Sequence, residues 1–261
     1  MNPRPTPLEV SDTGENLQAR EIGTMILILS GVLVFWEGFI ALVQLPPYLL
    51  PPPSLIAKTM WTQRVYYTSS AVVTLGEALG GWGLGLFIGT LTAILITLKS
   101  HLERGVLVLA ILIKATPMVA IAPLLIIWFG FGALPKIIVT GLMTFFPVLI
   151  NVHAGLRAVD PAILALFHAL NASKLEVLIH ARWPSALPYL FAAMKVVGPL
   201  AIVGAVVAEW AGASAGLGRA MWLAYANLNM PALFAGIFYS AFLSISFYLG
   251  IIILERRIIF W

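Results

Sequence analysis

The stretch Asp160-Pro-Ala-Ile-Leu-Ala-Leu-Phe-His-Ala-Leu-Asn171-Ala-Ser-Lys-Leu-Glu-Val-Leu-Ile-His-Ala-Arg-Trp183-Pro184 decides the fold. Asp160 before Pro161 is a helix start, with an N-cap carboxylate and a proline at the first helical position. Ile163, Leu166, Phe167 and Leu170 follow at i, i+3, i+4 and i+7, which is one apolar helix face. Asn171 interrupts, and asparagine is among the few residues other than glycine that visit the left-handed conformation readily. Ser173-Lys-Leu-Glu176 then fits the S-x-x-E capping box, and Leu175, Leu178, Ile179 and Arg182 continue the spacing. Trp183-Pro184 and Leu187-Pro188 are expected to end the unit and turn the chain into the next apolar run. The pattern predicts two short amphipathic helices meeting at a corner, Asn171-Ala172-Ser173, inside a link covering residues 155–188. They are too short and too punctuated to cross a bilayer. A knob that docks in a partner's groove fits the spacing, and so does a pair of helices lying on the membrane surface.

Around this link the chain is apolar. Of 261 residues, 61% are AVILMFWYC and only 10% are charged, against about 25% charged in soluble domains. So few charges cannot coat a soluble surface, and lipid must solvate much of the chain. That excludes an ordinary cytosolic enzyme and a disordered chain. With no cysteine, a disulfide scaffold, a thiolate metal site and a cysteine nucleophile are excluded too. A bilayer core about 30 Å thick needs ~20 apolar residues per helix. Six segments qualify, at about 22–43, 75–98, 106–128, 136–154, 189–208 and 233–254. The third carries Lys114, Pro117 and Pro123, the fourth Pro147, and the fifth Lys195 and Pro199. Prolines inside spans are tolerated where neighbours satisfy the freed carbonyls, so spans three to five are expected to face protein.

Residues 1–21 are polar, lack a signal-peptide pattern and read as a loosely ordered cytoplasmic tail, with residues 22–261 forming one membrane domain. Nine basic residues fall in the segments assigned to the interior and four outside, which favours both termini in the cytoplasm. The net charge of +4 is spread thinly between apolar runs, so it reads as membrane orientation rather than nucleic-acid binding. In the second span Gly81, Gly85 and Gly89 recur four apart on one face, and small residues at that spacing let another helix approach closely.

Several stretches together resemble a known family. Leu156-Arg-Ala-Val-Asp160-Pro, Ala-Leu-Asn171-Ala-Ser173 and Trp183-Pro184-Ser-Ala-Leu-Pro188 are similar to the "EAA" loop of ABC importer permeases, most closely those of the nitrate, sulfonate, taurine and thiamine-precursor branch. Leu50-Pro-Pro-Pro53-Ser54, Ala122-Pro-Leu-Leu-Ile-Ile-Trp128-Phe-Gly-Phe-Gly132, Val207-Ala-Glu209 with Gly216-Leu-Gly218, and Glu255-Arg-Arg257 with Trp261 extend the resemblance along nearly the whole chain. The family's Glu-Ala-Ala triplet stands here as Ala165-Leu166-Phe167, its central Gly as Asn171, and its Leu-Pro as Trp183-Pro184.

The resemblance implies an all-α integral membrane protein of six transmembrane helices with the type I importer architecture. It implies a coupling helix, here Phe167, Leu170, Asn171, Ala172, Ser173, Lys174, Leu175 and Glu176, inserted into a cleft of a separate ATP-binding subunit. No G-x-x-x-x-G-K-[ST] loop is present, so ATP chemistry belongs to another chain, expected in two copies. A substrate-binding protein outside the membrane completes the assembly. One six-helix unit has little room to enclose a path, so a homodimer about a two-fold axis is expected. The cargo implied is a small polar organic solute or oxyanion: a sulfonate or taurine, nitrate or bicarbonate, a thiamine pyrimidine precursor, or riboflavin. Ala208-Glu209-Trp210 followed by Gly-Leu-Gly leans toward a heterocycle.

Charges within spans are expensive, roughly 2.5–3.5 kcal/mol at the centre on insertion scales. Glu37, Lys114, Thr116, Trp128 and Glu209 are the candidates for a pathway or gate. The plainer alternatives are snorkelling for Lys114 and Lys195, headgroup contact for Glu37, and an interfacial charge for Glu209. The segment Ala211–Pro231 is expected to fold back as a short helix near Leu217–Leu228 that lines the outer gate. His101, His153, His168 and His180 lack metal-ligand spacing, and no nucleophile–base set is recognisable, so neither metal, cofactor nor catalysis is expected. A rival from another class is a secondary transporter or channel that relays protons through Glu37, Glu77 and Glu209.

Overall fold

The computed structural model describes residues 7–259, and all regular structure among them is helical. The elements are α1 (Pro7–Val43), α2 (Pro53–Thr62), α3 (Arg64–Leu98), α4 (Glu103–Ala115), α5 (Met118–Phe129), α6 (Ala133–Arg157), α7 (Pro161–Ala169), α8 (Lys174–Val177), α9 (Trp183–Ala211), α10 (Leu217–Ala226) and α11 (Met230–Ile258). Among the described residues five helical stretches are long and apolar enough to cross a membrane: Gly23–Val43, Arg64–Leu98, Ala133–Arg157, Lys174–Ala211 and Met230–Ile258.

The third expected span is not a single rod. Ser100–Ala115 and Met118–Phe129 are bent by 89° at Thr116-Pro117. Pro117 has no N–H to continue the ladder, and its ring pushes the preceding residue out of the α region. Thr116 accordingly adopts ψ 130°, and its N–H turns back onto the carbonyls of Leu112 and Ile113, both at 3.2 Å. Pro123, Pro147, Pro188 and Pro199 by contrast lie inside helices that continue past them.

The N-terminal segment also departs from expectation. The backbone is helical from Pro7, so α1 begins ahead of the span Gly23–Val43 and leads into it. Residues 1–6 of that segment lie outside the described residues.

The core lies where α3, α6 and α9 meet. Ala93, Ile96, Val148, Leu149, Val152, Leu156, Ala193 and Val197 form one buried cluster there. The glycine ladder of α3 faces α6: a Cβ on Gly81 would run into Thr140, and one on Gly85 into Thr144. At Gly89 it would stand 2.9 Å from Val148. Close approach thus explains three of the glycines, whereas Gly76 has open space around it. α1 leaves Leu27, Val34, Phe35 and Leu42 more than two-thirds exposed, from 71% to 86%, which is the surface a lipid-facing helix presents. α11 is pinned to the bundle at both ends. Tyr67 donates to the Ala232 carbonyl at 2.6 Å, and Lys195 pairs with Glu255 at 2.9 and 3.0 Å.

Candidate functional site

The elbow between α6 and α9 is built by local rules. Asp160 accepts from the Ala162 N–H at 2.7 Å and opens α7. α7 closes with a Schellman motif: Ala172 N–H reaches the Phe167 carbonyl and Asn171 N–H the His168 carbonyl, each at 3.0 Å. Asn171 occupies the left-handed position this requires, at φ 53°. The capping box follows at once, with Ser173 N–H to Glu176 Oε2 at 2.7 Å and Glu176 N–H to Ser173 Oγ at 3.3 Å. Nothing among the described residues covers the result. No residue of α7 or α8 is buried, and Leu166, Leu170 and Leu175 are 58%, 69% and 60% exposed.

The second half of the unit is not a separate short helix. Lys174–Ala211 runs as one 38-residue helix, with a π-helical turn over Leu178–Arg182. That turn adds a residue just ahead of Pro184 and absorbs a proline that would otherwise break the ladder. Ser185 Oγ helps by donating to the Ala181 carbonyl at 2.9 Å. Trp183-Pro184 and Leu187-Pro188 therefore do not end the elbow; they carry it directly into the fifth span. Arg182 ties this junction to α6 by donating to the Leu156 carbonyl at 3.1 Å.

Beside the elbow lies an ion cluster that spacing in the sequence did not disclose. Glu103 of α4 accepts from Arg157 at 2.8 Å and lies 3.2 Å from His153 Nε2, both on α6. The other ring nitrogen of His153 is 3.0 Å from Thr97 Oγ1 on α3. Residues 97, 103, 153 and 157 come together only in three dimensions, so no motif marks them.

On the opposite side of the bundle Glu209 is 1% exposed. Its carboxylate accepts from Thr74 Oγ1 at 2.7 Å and from the Gly218 N–H. Thr74 Oγ1 in turn accepts from the Leu217 N–H at 2.8 Å. Gly216 sits at φ 109°, and a Cβ on Gly216 or Gly218 would collide with the Glu209 side chain. The Gly216-Leu-Gly218 motif is thus the mould of one buried carboxylate. Glu77 lies beside it. Lys136, also buried, spans the turn before α6 by donating to the carbonyls of Phe131 and Gly132 at 2.7 and 2.8 Å. The fold-back helix expected after Ala211 is α10, with Leu217, Gly218, Ala220, Met221 and Ala224 buried against its neighbours.

The five pathway candidates do not form one site. Glu37 caps α2: it accepts from Ser54 N–H at 3.0 Å and Ser54 Oγ at 2.7 Å. Glu77 and Glu209 adjoin, but Glu37 is engaged at α2, so the three do not make the relay a proton-driven carrier would need. Lys114 and Thr116 do share a hollow of about 340 Å³ with Met118 and Met143, at the bend of the third span. The Lys114 ammonium lies 4.7 Å over the Phe146 ring, and Thr116 Oγ1 donates to the Leu112 carbonyl at 2.9 Å. Trp128 is 69% exposed on α5 and does not line that hollow. Lys195, which could have snorkelled, is held by Glu255.

Comparison with known proteins gives consistent findings. The family described as binding-protein-dependent transport system inner membrane component matches residues 85–260. A probable ABC transporter permease protein of Haemophilus influenzae is 33% identical over 234 residues, covering 90% of this chain and 96% of that one. The formylaminopyrimidine transport permease protein ThiX of Halalkalibacterium halodurans is 31% identical over 245 residues, 94% of this chain and 96% of its own. The riboflavin transport system permease protein RibX of Chloroflexus aurantiacus is 31% identical over 232 residues, 88% of this chain and 87% of its own. Among solved structures, an inward-facing MetNI methionine ABC transporter superposes with a TM-score of 0.60 at 18% identity, over 77% of this chain and 97% of that one. That last likeness concerns the fold.

Proposed function

The chain belongs to the family of binding-protein-dependent transport system inner membrane components, and from that premise we propose how its parts divide the work of import. It is the multi-pass membrane subunit of an ABC importer rather than an enzyme, and its family works with an ATP-binding subunit and a substrate-binding protein. The proposal concerns what each part of this chain does.

Phe167, Leu170, Asn171, Ala172, Ser173, Lys174, Leu175 and Glu176 form the coupling surface for the ATP-binding subunit. The observation that carries this is the elbow itself: a rigid corner, capped on both sides, whose apolar residues stand exposed. Buried leucines are ordinary, whereas an uncovered row on a stiff projection wants a groove. Two ATP-binding subunits serve two copies of this chain, with the elbow and both termini on the cytoplasmic side.

The path runs between the copies. Lys114 and Thr116 line it at the bend of the third span, because a cation within a span requires water or protein around it. Trp128, exposed on α5, and Glu37, at the cap of α2, lie nearer its rim. Glu209 holds α10 as part of the outer gate. The cargo is a small polar organic solute. The kinship with ThiX and RibX favours a nitrogen heterocycle, such as a formylaminopyrimidine, over a sulfonate or an inorganic oxyanion.

The test is reconstitution in proteoliposomes with the ATP-binding subunit and the binding protein. Uptake of formylaminopyrimidine that needs enclosed ATP and stops when Leu170→Glu and Leu175→Glu are introduced is the expected result. Uptake driven by a proton gradient without the ATP-binding subunit would overturn it.

A further inference from the structure

We propose that the cleft between the end of α3 and the elbow binds the headgroup phosphate of an anionic membrane phospholipid. The cleft has a volume of about 510 Å³, and Thr97, Leu98, Ser100, His168, Lys174 and Arg182 are among its lining residues. Two of these are cations, and no carboxylate lines it.

The chain does not cancel that charge from nearby. Among the described residues neither cation pairs with a carboxylate. Lys174 belongs also to the proposed coupling surface, so Arg182 is the cation that stays with the cleft when the ATP-binding subunit is docked. Glu176, two residues on, is turned back onto the Ser173 N–H. Glu103 borders the adjoining hollow, which shares Thr97, Ser100 and Arg182, but it is already engaged by Arg157 and His153. Arg182 is held in place through one nitrogen by the Leu156 carbonyl, which leaves the remainder of a planar five-donor group for an anion.

Depth and lining select a lipid over a free ion. α3 ends at Leu98 with Lys99 as its cap, so Ser100 stands where the apolar span gives way to water. Leu98, Leu164 and Val177 also line the cleft and give it an apolar wall beside the cations. A free phosphate has no use for that wall, whereas a glycerol backbone attached to a phosphate does. Cytoplasmic leaflets rich in anionic lipid attract such basic sites. The choice of leaflet rests on the proposed cytoplasmic position of the elbow.

The experiment uses the chain purified with its ATP-binding subunit and placed in nanodiscs of phosphatidylcholine, alone or mixed with phosphatidylglycerol. Native mass spectrometry then reads which lipid is retained. The wild type is expected to retain phosphatidylglycerol selectively. Arg182→Gln should lower that selectivity about fivefold. Ser100→Asp, which places a negative charge in an exposed position of the cleft, should do the same without touching the Arg182 anchor. Selective retention unchanged in both variants would overturn the proposal. So would displacement of the lipid by inorganic phosphate, which would make this a soluble-anion site. Stimulation of ATP hydrolysis by the binding protein is measured on the same samples. Stimulation without lipid selectivity sinks this inference alone. Selectivity without stimulation upholds it and sinks the coupling role of the elbow.

Discussion

Glu209 has been taken out of water and given a fixed set of donors in exchange. A buried carboxylate is tolerated when its lone pairs are met by hydrogen bonds, and here a hydroxyl and the start of α10 meet them. Glu209→Ala should therefore destabilise the protein by about 1–3 kcal/mol, the cost of leaving buried donors such as the Gly218 N–H without a partner. Thermal unfolding in detergent would measure this, and hydrogen exchange should report faster opening of α10. At Asn171 the argument is conformational. Asn171→Gly should be nearly silent, whereas Asn171→Val should cost about 1–2 kcal/mol because a branched side chain resists the left-handed region. Stability of the complex with the ATP-binding subunit is the readout. The two residues differ in how far sequence discloses them. Asn171 could be read from its neighbours, since Asp160-Pro161 and Ser173-x-x-Glu176 frame it within a few positions. Glu209 reads as an interfacial charge, because its partners Thr74 and Gly218 lie 135 and nine positions away. Only the fold brings Thr74 to it.

Among the elements, caps and bends carry the consequences. Removing the capping box with Ser173→Ala should cost ~1 kcal/mol and lower binding-protein-stimulated ATP hydrolysis more than it lowers assembly, because the corner softens while its apolar surface stays. Gly85→Leu should impair folding outright. Its side chain would have to displace Thr144 where α3 and α6 touch, and overpacking of this kind costs roughly 1–3 kcal/mol or more. Yield and thermal stability in detergent are the check. The existence of the six apolar segments was legible from hydropathy, but their breaks were not. Pro117 breaks a helix while Pro123, Pro147 and Pro199 do not, and all four look alike in one dimension. What separates them is whether a neighbour or a local readjustment can satisfy the freed groups. The π turn before Pro184 is such a readjustment, and it is why the elbow continues into a span where the sequence suggested a stop.

At the scale of the molecule, α3, α6 and α9 form a packed frame, and the outer helices lean on it. A permease that encloses its path between copies should migrate as two chains per complex, and native mass measurement would show this directly. A single copy with full uptake would contradict the arrangement. The stretch Lys174–Ala211 is about 57 Å long at 1.5 Å per residue. It begins at the exposed corner and ends two residues past Glu209. On the proposed coupling role, a nudge at its inner tip is handed along one continuous helix, through the π turn at Leu178–Arg182, toward the Glu209 end. On that proposal, opening at one side and closing at the other would be a single stroke along this helix, with its phase set by how many residues lie between the ends. Adding one alanine midway would turn the far end by about 100° relative to the near one. ATP would then still be burned, with the carrier idling.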